Sequence, residues 1–337
     1  MLASWLAGCS ARTPEAVWTP RTPDDHAGPM LRVETGGRGS HIVTSVALDD
    51  YVRDVVVGEM PVAARDQPLA LAVYSAQAIV ARTYALASRR RHLADGFDLC
   101  ATTHCQVFVA NQWRRSRWAV QVDEAVRRTR GLVLADGRGP IEAVFHAHCG
   151  GHTSTAREVW RSPGAPYLQG VGDPYCVREH AATWSLTVSL EAVRVALNQR
   201  PRTTVGERLD AVQVLRRDDG GRVVEVVISG SLAPVVTGED FRLAILAAAG
   251  ASSLRSARFN VRRDGDRLHF SGTGAGHGVG LCQVGLLGRV RAGQPPEDAL
   301  LAYYTGARVT SLSGWSSESG VPVTSAARAR GRVVSTP

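Results

Sequence analysis

The sequence predicts an α+β fold in which mixed hairpins and helices form a substrate groove around one buried central helix. Two stretches alternate apolar and polar residues on either side of a turn rich in Gly and Asp, as antiparallel hairpins do. Residues 69–88 are apolar on nearly every side of a helix and carry a single charge. Strands and helices do not alternate regularly, which argues against a parallel βαβ sheet.

Size and composition indicate a globular, loop-rich protein of one large or two modest domains, with 337 residues, 44% of them hydrophobic, and 34 Gly. The formal net charge is +8, and all 39 basic residues are Arg. The absence of Lys excludes a Lys nucleophile, a Schiff base and a Walker-type phosphate loop. No Arg run resembles a nucleic-acid motif, so nucleic acid is not an expected partner. The charge suits an anionic surface or polymer.

The chain divides into three parts by composition. We expect a truncated signal and flexible tether over 1–40, a folded domain over 41–312 and a disordered tail over 313–337. The folded part is interpreted as one domain or as two lobes, about 41–184 and 185–312. Leu6-Ala7-Gly8-Cys9 resembles a lipoprotein box, which predicts membrane anchoring by a lipid on Cys9. The short apolar run before it leaves a chance match open, and no transmembrane segment is predicted.

The elements follow in order along the folded part. Residues 43–48 have the pattern of a strand, and the Val-rich stretch 51–58 is interpreted as a second short strand. Pro68 suits the first turn of the central helix. The other predicted helices are 123–129, 191–198, 238–249, 281–290 and 296–304. The other predicted strands are 132–134 with 141–145, 184–190, 209–215 with 223–228, and 259–261 with 268–271.

Two charged residues flank or interrupt the apolar centre. Glu59 ends the stretch 51–58, and Pro61 restricts the residue before it to extended geometry. Arg82 is a cation in an otherwise apolar helix, so it needs an anionic partner or a polar cleft. Two interpretations stay open. Either the two form a structural ion pair, or Glu59 is a catalytic carboxylate at the lip of a groove whose floor is the helix.

Three motif blocks together resemble the stage II sporulation protein D and amidase-enhancer family over about 43–309. The first is E-M-P at 59–61, followed by A-Q-A-x-x-A-R-T-Y-A at 76–85. The second is F-H-A-H-C-G-G-H-T at 145–153, which leads to V-W at 159–160. The third is G-T-G-A-G-H-G-V-G-L-C-Q-V-G-L at 272–286, with Leu286 where the family usually has Ala. Ser75 stands where many members have a Lys that is thought to assist.

The resemblance implies action on cell-wall glycan. Glu59 would be the single general acid and base of a peptidoglycan lytic transglycosylase that leaves 1,6-anhydro ends. The alternative is a non-catalytic, glycan-binding enhancer of a cell-wall amidase. Both imply glycan strands as ligand and a cell-envelope location, in the periplasm or as an outer-membrane lipoprotein. The side chains expected to contact substrate are Arg82, Gln106, His146, Thr153, His277 and Gln283.

Soft metal ligands follow the central helix. Two Cys and two His, of the kind that close a tetrahedral zinc site, lie at His92, Cys100, His104 and Cys105. Some members of the family are reported to hold zinc with such a set, so one structural zinc is expected here. A Cys100–Cys105 disulfide is the alternative.

The remaining cysteines give a further prediction. Cys149 and Cys176 resemble positions of a cysteine-bearing subset of the family, which implies a disulfide between them. The alternative is a second metal site built from His146, His148, Cys149 and His152. A cysteine peptidase using Cys282 and His277 lacks an acid that would orient the His.

Overall fold

One helix, Ala70–Ala87, runs through the centre of the protein, as the sequence predicts. The computed structural model describes residues 29–36, 41–179, 182–249 and 254–312. Within those ranges, Ala64–Ala87 is long and apolar enough to cross a membrane, but most of it is buried inside the protein. Its apolar side chains therefore belong to the core.

The predicted mixture of helices and strands is confirmed. The described helices are α1 (Leu48–Glu59), α2 (Ala70–Ala87), α3 (Ala119–Arg128), α4 (Ala156–Trp160), α5 (Pro174–Glu179), α6 (Leu190–Asn198), α7 (Gly238–Ala249), α8 (Gln283–Arg291) and α9 (Pro296–Leu301). The described strands are β1 (Met30–Glu34), β2 (Val43–Ala47), β3 (Leu99–Cys100), β4 (Leu132–Ala135), β5 (Phe145–His146), β6 (Thr183–Ser189), β7 (Leu209–Arg217), β8 (Val223–Gly230), β9 (Val235–Thr237), β10 (Phe259–Asp264), β11 (Arg267–Thr273), β12 (Leu281–Cys282) and β13 (Arg308–Ser311).

Two apolar cores organise these elements. The first core packs around α1, α2 and α3 and takes in residues 31–176 and 279–304. The second lies within 193–270, where α6 and α7 cover the sheets β7-β8-β9 and β10-β11-β6. The second core is therefore an insertion, because the chain returns to the first core after residue 273. The division into lobes of about 41–184 and 185–312 stays a prediction, and residues 279–304 pack in the first core.

Two predicted elements at the N-terminal side need correction. The stretch 51–58 is part of α1, not a strand. Its buried residues Tyr51, Val52, Val55 and Val56 recur at helical spacing, and that periodicity outweighs the strand propensity of Val. Strand β1 lies inside the predicted tether, because Leu31 and Val33 alternate with polar residues and pack inward. Cys9, the lipoprotein box and the predicted tail lie outside the described residues.

The two predicted hairpins differ in outcome. Strands β7 and β8 pair antiparallel, as predicted. The turn after β4 forms, but β4 pairs with β13 from the end of the domain. Residues near 145 instead form β5, which pairs in parallel with β12. Sequence spacing identifies a turn, but it does not identify a partner strand that lies far along the chain.

Candidate functional site

Glu59 is the last residue of α1 and is half-buried. Its Oε1 accepts a hydrogen bond of 2.6 Å from the backbone N–H of Val107. Burial raises the pKa of the Glu59 carboxyl above its usual value, and the Val107 N–H opposes that shift. Gly58 permits this contact, since a Cβ there would lie 2.8 Å from Nε2 of Gln112 and 3.0 Å from the carbonyl of Val107. Helix α1 thus presents one weakly solvated acid.

Gln283 connects this acid to the third motif block. Its Nε2 donates to the backbone carbonyl of Glu59 at 2.9 Å and approaches Oε1 of Gln77 at 3.5 Å. Nε2 of Gln77 is buried and has no hydrogen-bond partner among the described residues. The start of α8 therefore holds the end of α1, and an unpaired amide donor lies beside them.

The Gly-rich loop before α8 is shaped by its backbone. Gly274, Gly276, Gly278 and Gly280 all have positive φ, which other residues rarely adopt. The Cβ of any other residue at 278 would lie 2.3 Å from the guanidinium of Arg222. The loop is thus a tight packing turn that leads into β12.

Two histidines lie beside this loop, with ring centroids 5.5 Å apart. Nδ1 of His277 accepts from the N–H of Val279 and its Nε2 donates to the carbonyl of Phe145, so both nitrogens are occupied. Nδ1 of His146 donates to the carbonyl of Val279, which leaves a buried Nε2 without a partner among the described residues. Burial lowers the pKa of His277 to about 4 and that of His146 well below its usual value, so both rings are neutral at pH 7.

Trp160 borders the histidine pair. Its ring centroid is 5.1 Å from that of His277, and the side chain is 39% exposed. Trp160 is therefore not a core residue, and its open surface is available to a ligand. A continuous series of contacts runs from Trp160 through His277 and His146 to β12, and then through Gln283 to Glu59.

Arg82 is not part of this group, and the prediction that it contacts substrate is wrong. Its side chain is fully buried and forms an ion pair of 3.1 Å with Asp49. Its Nη1 donates to the carbonyl of Thr129 at 2.8 Å. The other oxygen of Asp49 accepts from Arg130 at 2.9 Å. The partner is an acid in the first turn of α1 rather than Glu59, because the two helices pack with that turn beside the end of α2.

Two further predicted contacts also point inward. Gln106 is fully buried, and its Oε1 accepts from the hydroxyl of Tyr51 at 3.1 Å. It fixes the segment that carries Val107. Oγ1 of Thr153 accepts from the N–H of Val171 at 2.9 Å, and the side chain is buried. Neither side chain is open to a ligand in this structure.

The predicted zinc ligands do come together. We call His92, Cys100, His104 and Cys105 the first cysteine cluster, and one ligand atom from each lies within 4.8 Å of the others. Sγ of Cys105 is 3.4 Å from Nε2 of His92, and Sγ of Cys100 is 3.6 Å from Nδ1 of His104. Tetrahedral zinc bonds of about 2.0 and 2.3 Å place nitrogen and sulfur about 3.5 Å apart, so the residues fit the metal. Nδ1 of His92 faces Asp95 at 3.3 Å, a usual support for a ligating imidazole.

Cys149 and Cys176 are both free thiols in the structure, and the predicted disulfide is not formed. They lie with Asp173 and Cys282, and we call these four residues the second cysteine cluster. The alternative metal set of His146, His148, Cys149 and His152 does not assemble, because the three histidines are not among the ligand groups that come together in the described residues. Cys282 is fully buried, and burial raises the pKa of its thiol, which does not suit a nucleophile.

Sequence reasoning did not assign roles to two groups at the site. Val107 contributes a backbone N–H, which no residue type signals. Gln77 lies in the A-Q-A motif of the central helix. A buried side-chain amide normally needs a hydrogen-bond partner, so its position in an apolar helix could have marked it as a candidate site residue.

Comparison with known proteins identifies two regions of the chain. Residues 37–135 match the family described as Stage II sporulation protein (SpoIID), which includes Glu59, α2 and the first cysteine cluster. Residues 178–280 match a domain of unknown function (DUF8618), which corresponds closely to the second core.

Relatives extend the match to most of the chain. Stage II sporulation protein D of Bacillus amyloliquefaciens is 28% identical over 295 residues, covering 83% of this chain and 78% of that protein. The protein of the same name from Bacillus subtilis is 27% identical over 281 residues, covering 80% and 76%. The amidase enhancer of Bacillus subtilis is 26% identical over 303 residues, and the match covers 77% of this chain but only 40% of that protein. Residues 37–135 are thus a stage II sporulation protein domain, and most of the chain is similar to stage II sporulation protein D.

Proposed function

We propose that this protein cleaves peptidoglycan glycan strands as a lytic transglycosylase, with Glu59 as its single general acid and base. One observation carries the proposal. The Glu59 carboxyl is half-buried, one oxygen is held by Val107, and the other has no hydrogen-bond or ion-pair partner in the described chain. The names of the relatives, a sporulation protein and an amidase enhancer, support a role at the cell wall and a location in the cell envelope.

The raised pKa of Glu59 suits an acid that must carry a proton near neutral pH. No Arg forms an ion pair with this carboxyl among the described residues, so only the N–H of Val107 offsets the cost of burying its charge. Arg82, which the sequence left as a candidate partner, is neutralised by Asp49. Arg82 therefore does not stabilise the ionised form of Glu59, which supports Glu59 as a proton donor.

A mechanism with one carboxylate agrees with the surroundings. Most glycosidases use two carboxyl groups on opposite sides of the scissile bond. The preceding acid along α1 is Asp54, whose two oxygens accept from the N–H groups of Asn111 and Trp113. Asp54 therefore closes a loop onto α1 and is not offered as a second catalytic group.

The reaction then follows from one acid and an internal nucleophile. Glu59 gives its proton to the leaving glycosidic oxygen while the C1–O bond breaks. The carboxylate then accepts the proton of the muramic C6 hydroxyl, whose oxygen forms the new bond to C1. The product is a 1,6-anhydro end, and Glu59 is protonated again. Trp160, whose side chain is partly exposed, is proposed to contact the sugar.

The first cysteine cluster is proposed to hold one structural zinc ion. Bound zinc would cross-link the segment 92–105 and so fix Val107, which anchors Glu59. The ion takes no part in proton transfer in this proposal.

The competing function is a non-catalytic enhancer that binds glycan and stimulates a cell-wall amidase. The match to the amidase enhancer favours it. Both functions use the same binding surface, so only the reaction product distinguishes them.

Mass spectrometry of purified glycan strands, with and without stem peptides, tests the proposal. The unmutated protein should produce anhydro ends. Glu59→Gln keeps the bond from Val107 and removes only the proton donor, so product formation should fall at least about 10²-fold. Glu142→Gln is the matched control, because it removes an exposed carboxylate that pairs with Arg91 and is not part of the proposed site. Glycan binding without anhydro ends from the unmutated protein would support the enhancer instead.

A further inference from the structure

The second cysteine cluster joins three separate segments of the chain. Cys149 follows β5, Asp173 and Cys176 lie at the start of α5, and Cys282 ends β12. All four side chains are 0% exposed. One ligand atom from each lies within 4.8 Å of the others. Three thiols and a carboxylate are thus gathered in the interior, where a carboxylate is rare unless paired.

We propose that Cys149, Asp173, Cys176 and Cys282 form a structural zinc site with three thiolates and one carboxylate. Such a site would affect the stability and metal content of the protein, whether or not the protein cleaves glycan.

The ligand spacing fits zinc. Sγ of Cys149 is 3.5 Å from Oδ2 of Asp173. Zinc bonds of about 2.3 Å to sulfur and about 2.1 Å to oxygen place those atoms about 3.6 Å apart in a tetrahedron. Four ligands complete such a site without water, which is the usual form of a structural zinc centre.

Backbone N–H groups are directed at the sulfur atoms. Sγ of Cys282 accepts from the N–H of Cys149 at 3.2 Å and from that of Gly285 at 3.3 Å. Sγ of Cys149 accepts from the N–H of Gly151 at 3.3 Å. Hydrogen bonds of this kind favour the thiolate, which is the form that binds metal.

Side chains around the cluster balance its charge. Three thiolates and a carboxylate exceed the charge of one zinc ion by two. Arg289 is 8% exposed and lies 3.8 Å from Oδ1 of Asp173, and Arg222 is 1% exposed and donates to the carbonyl of Cys149 at 3.2 Å. The hydroxyl of Tyr303 donates to Oδ2 of Asp173 at 2.7 Å, as partners of metal-bound carboxylates commonly do.

A disulfide explains less of this arrangement. A bond between Cys149 and Cys176 would use two of three thiols and leave Cys282 and Asp173 buried beside it. Zinc uses all four groups. It would also fix Cys282 directly before Gln283, whose amide holds the backbone of Glu59.

The test measures zinc by elemental analysis in the full chain purified with reductant. The Cys100→Ser/Cys105→Ser variant removes the first cysteine cluster and serves as the background. We expect one zinc per chain to remain in it, and a further Cys282→Ser change should lower retained zinc at least about tenfold. Cobalt in place of zinc should give thiolate-to-metal absorption in the background variant, a readout that needs no change at the second cysteine cluster.

Two results would overturn the site. One is a Cys149–Cys176 disulfide found by peptide mapping of protein made without reductant and exported as in its host. The other is a background variant that folds but keeps neither zinc nor a cobalt–thiolate spectrum. If Cys282→Ser does not fold, the cobalt spectrum of the background variant decides the outcome.

Discussion

Arg82 and Glu59 lie on neighbouring helices in the same core, but their ionisable groups have opposite surroundings. Arg82 is fully buried, and its guanidinium contacts Asp49 and the backbone carbonyls of Val126 and Thr129 at the end of α3. Glu59 is half-buried, with one oxygen anchored and the other unpartnered in the described structure. The charge of Arg82 is therefore paired within the fold, whereas one carboxylate oxygen of Glu59 is left unpaired.

At a buried ionisable residue, the hydrogen-bond partners distinguish a structural role from a chemical one. Removing one partner of a buried charge pair destabilises the fold because the other charge is left uncompensated. A buried acid without a partner is destabilised in its charged form, and that is the property a proton donor needs. The hydrogen bonds of each group, more than its burial, therefore predict its role.

The largest expected effect follows Arg82→Ala. The change leaves Asp49 and several carbonyls without their main donor, so we expect a loss of about 3–5 kcal/mol in the free energy of unfolding. Urea denaturation followed by circular dichroism measures it. Arg130→Ala is the control, since Arg130 meets Asp49 from a partly exposed position and should cost less than about 1 kcal/mol. A stable Arg82→Ala variant that no longer binds glycan would return Arg82 to the site.

A smaller effect concerns Glu59 and pH. Because the pKa of Glu59 is raised in the folded protein, its contribution to stability is fully present below the ordinary value of about 4.3 and is lost as pH rises through the folded pKa. Glu59→Gln cannot ionise. Its melting temperature should therefore exceed that of the parent at pH 7, and the two should converge towards pH 4.

Differential scanning calorimetry across that pH range makes the measurement, with Glu142→Gln as control. A Glu59→Gln variant that is less stable than the parent at pH 7 would show that the fold stabilises the ionised carboxylate. Glu59 would then resemble Arg82, and the contrast between the two residues would be wrong.

Local pattern predicted the central helix, the α+β class and the first cysteine cluster, because each depends on residues close in sequence. The motif blocks marked Glu59 and Gln283, which the structure links through one hydrogen bond. Pattern did not show that Asp49 would reach Arg82, because that pairing depends on how α1 crosses α2. It also missed Asp173 as a neighbour of three thiols, since these residues meet only through tertiary packing.

The smallest effect is expected at Trp160, and it extends the comparison to the ligand surface. Its ring rests against His277 and is 39% exposed, so one face is available to a sugar. Stacking of this kind contributes about 0.5–1.5 kcal/mol, so Trp160→Ala should weaken glycan binding about 2- to 10-fold. Trp160→Phe should retain most of the affinity. Leu232→Ala, which changes an exposed apolar residue near the second core, should leave the affinity unchanged.

Isothermal titration calorimetry with glycan strands on the Glu59→Gln background separates binding from cleavage. Equal affinity in the Trp160→Ala and Leu232→Ala proteins would place the glycan away from the histidine pair. If the glycan did contact the Trp160 ring, removing that ring would weaken binding.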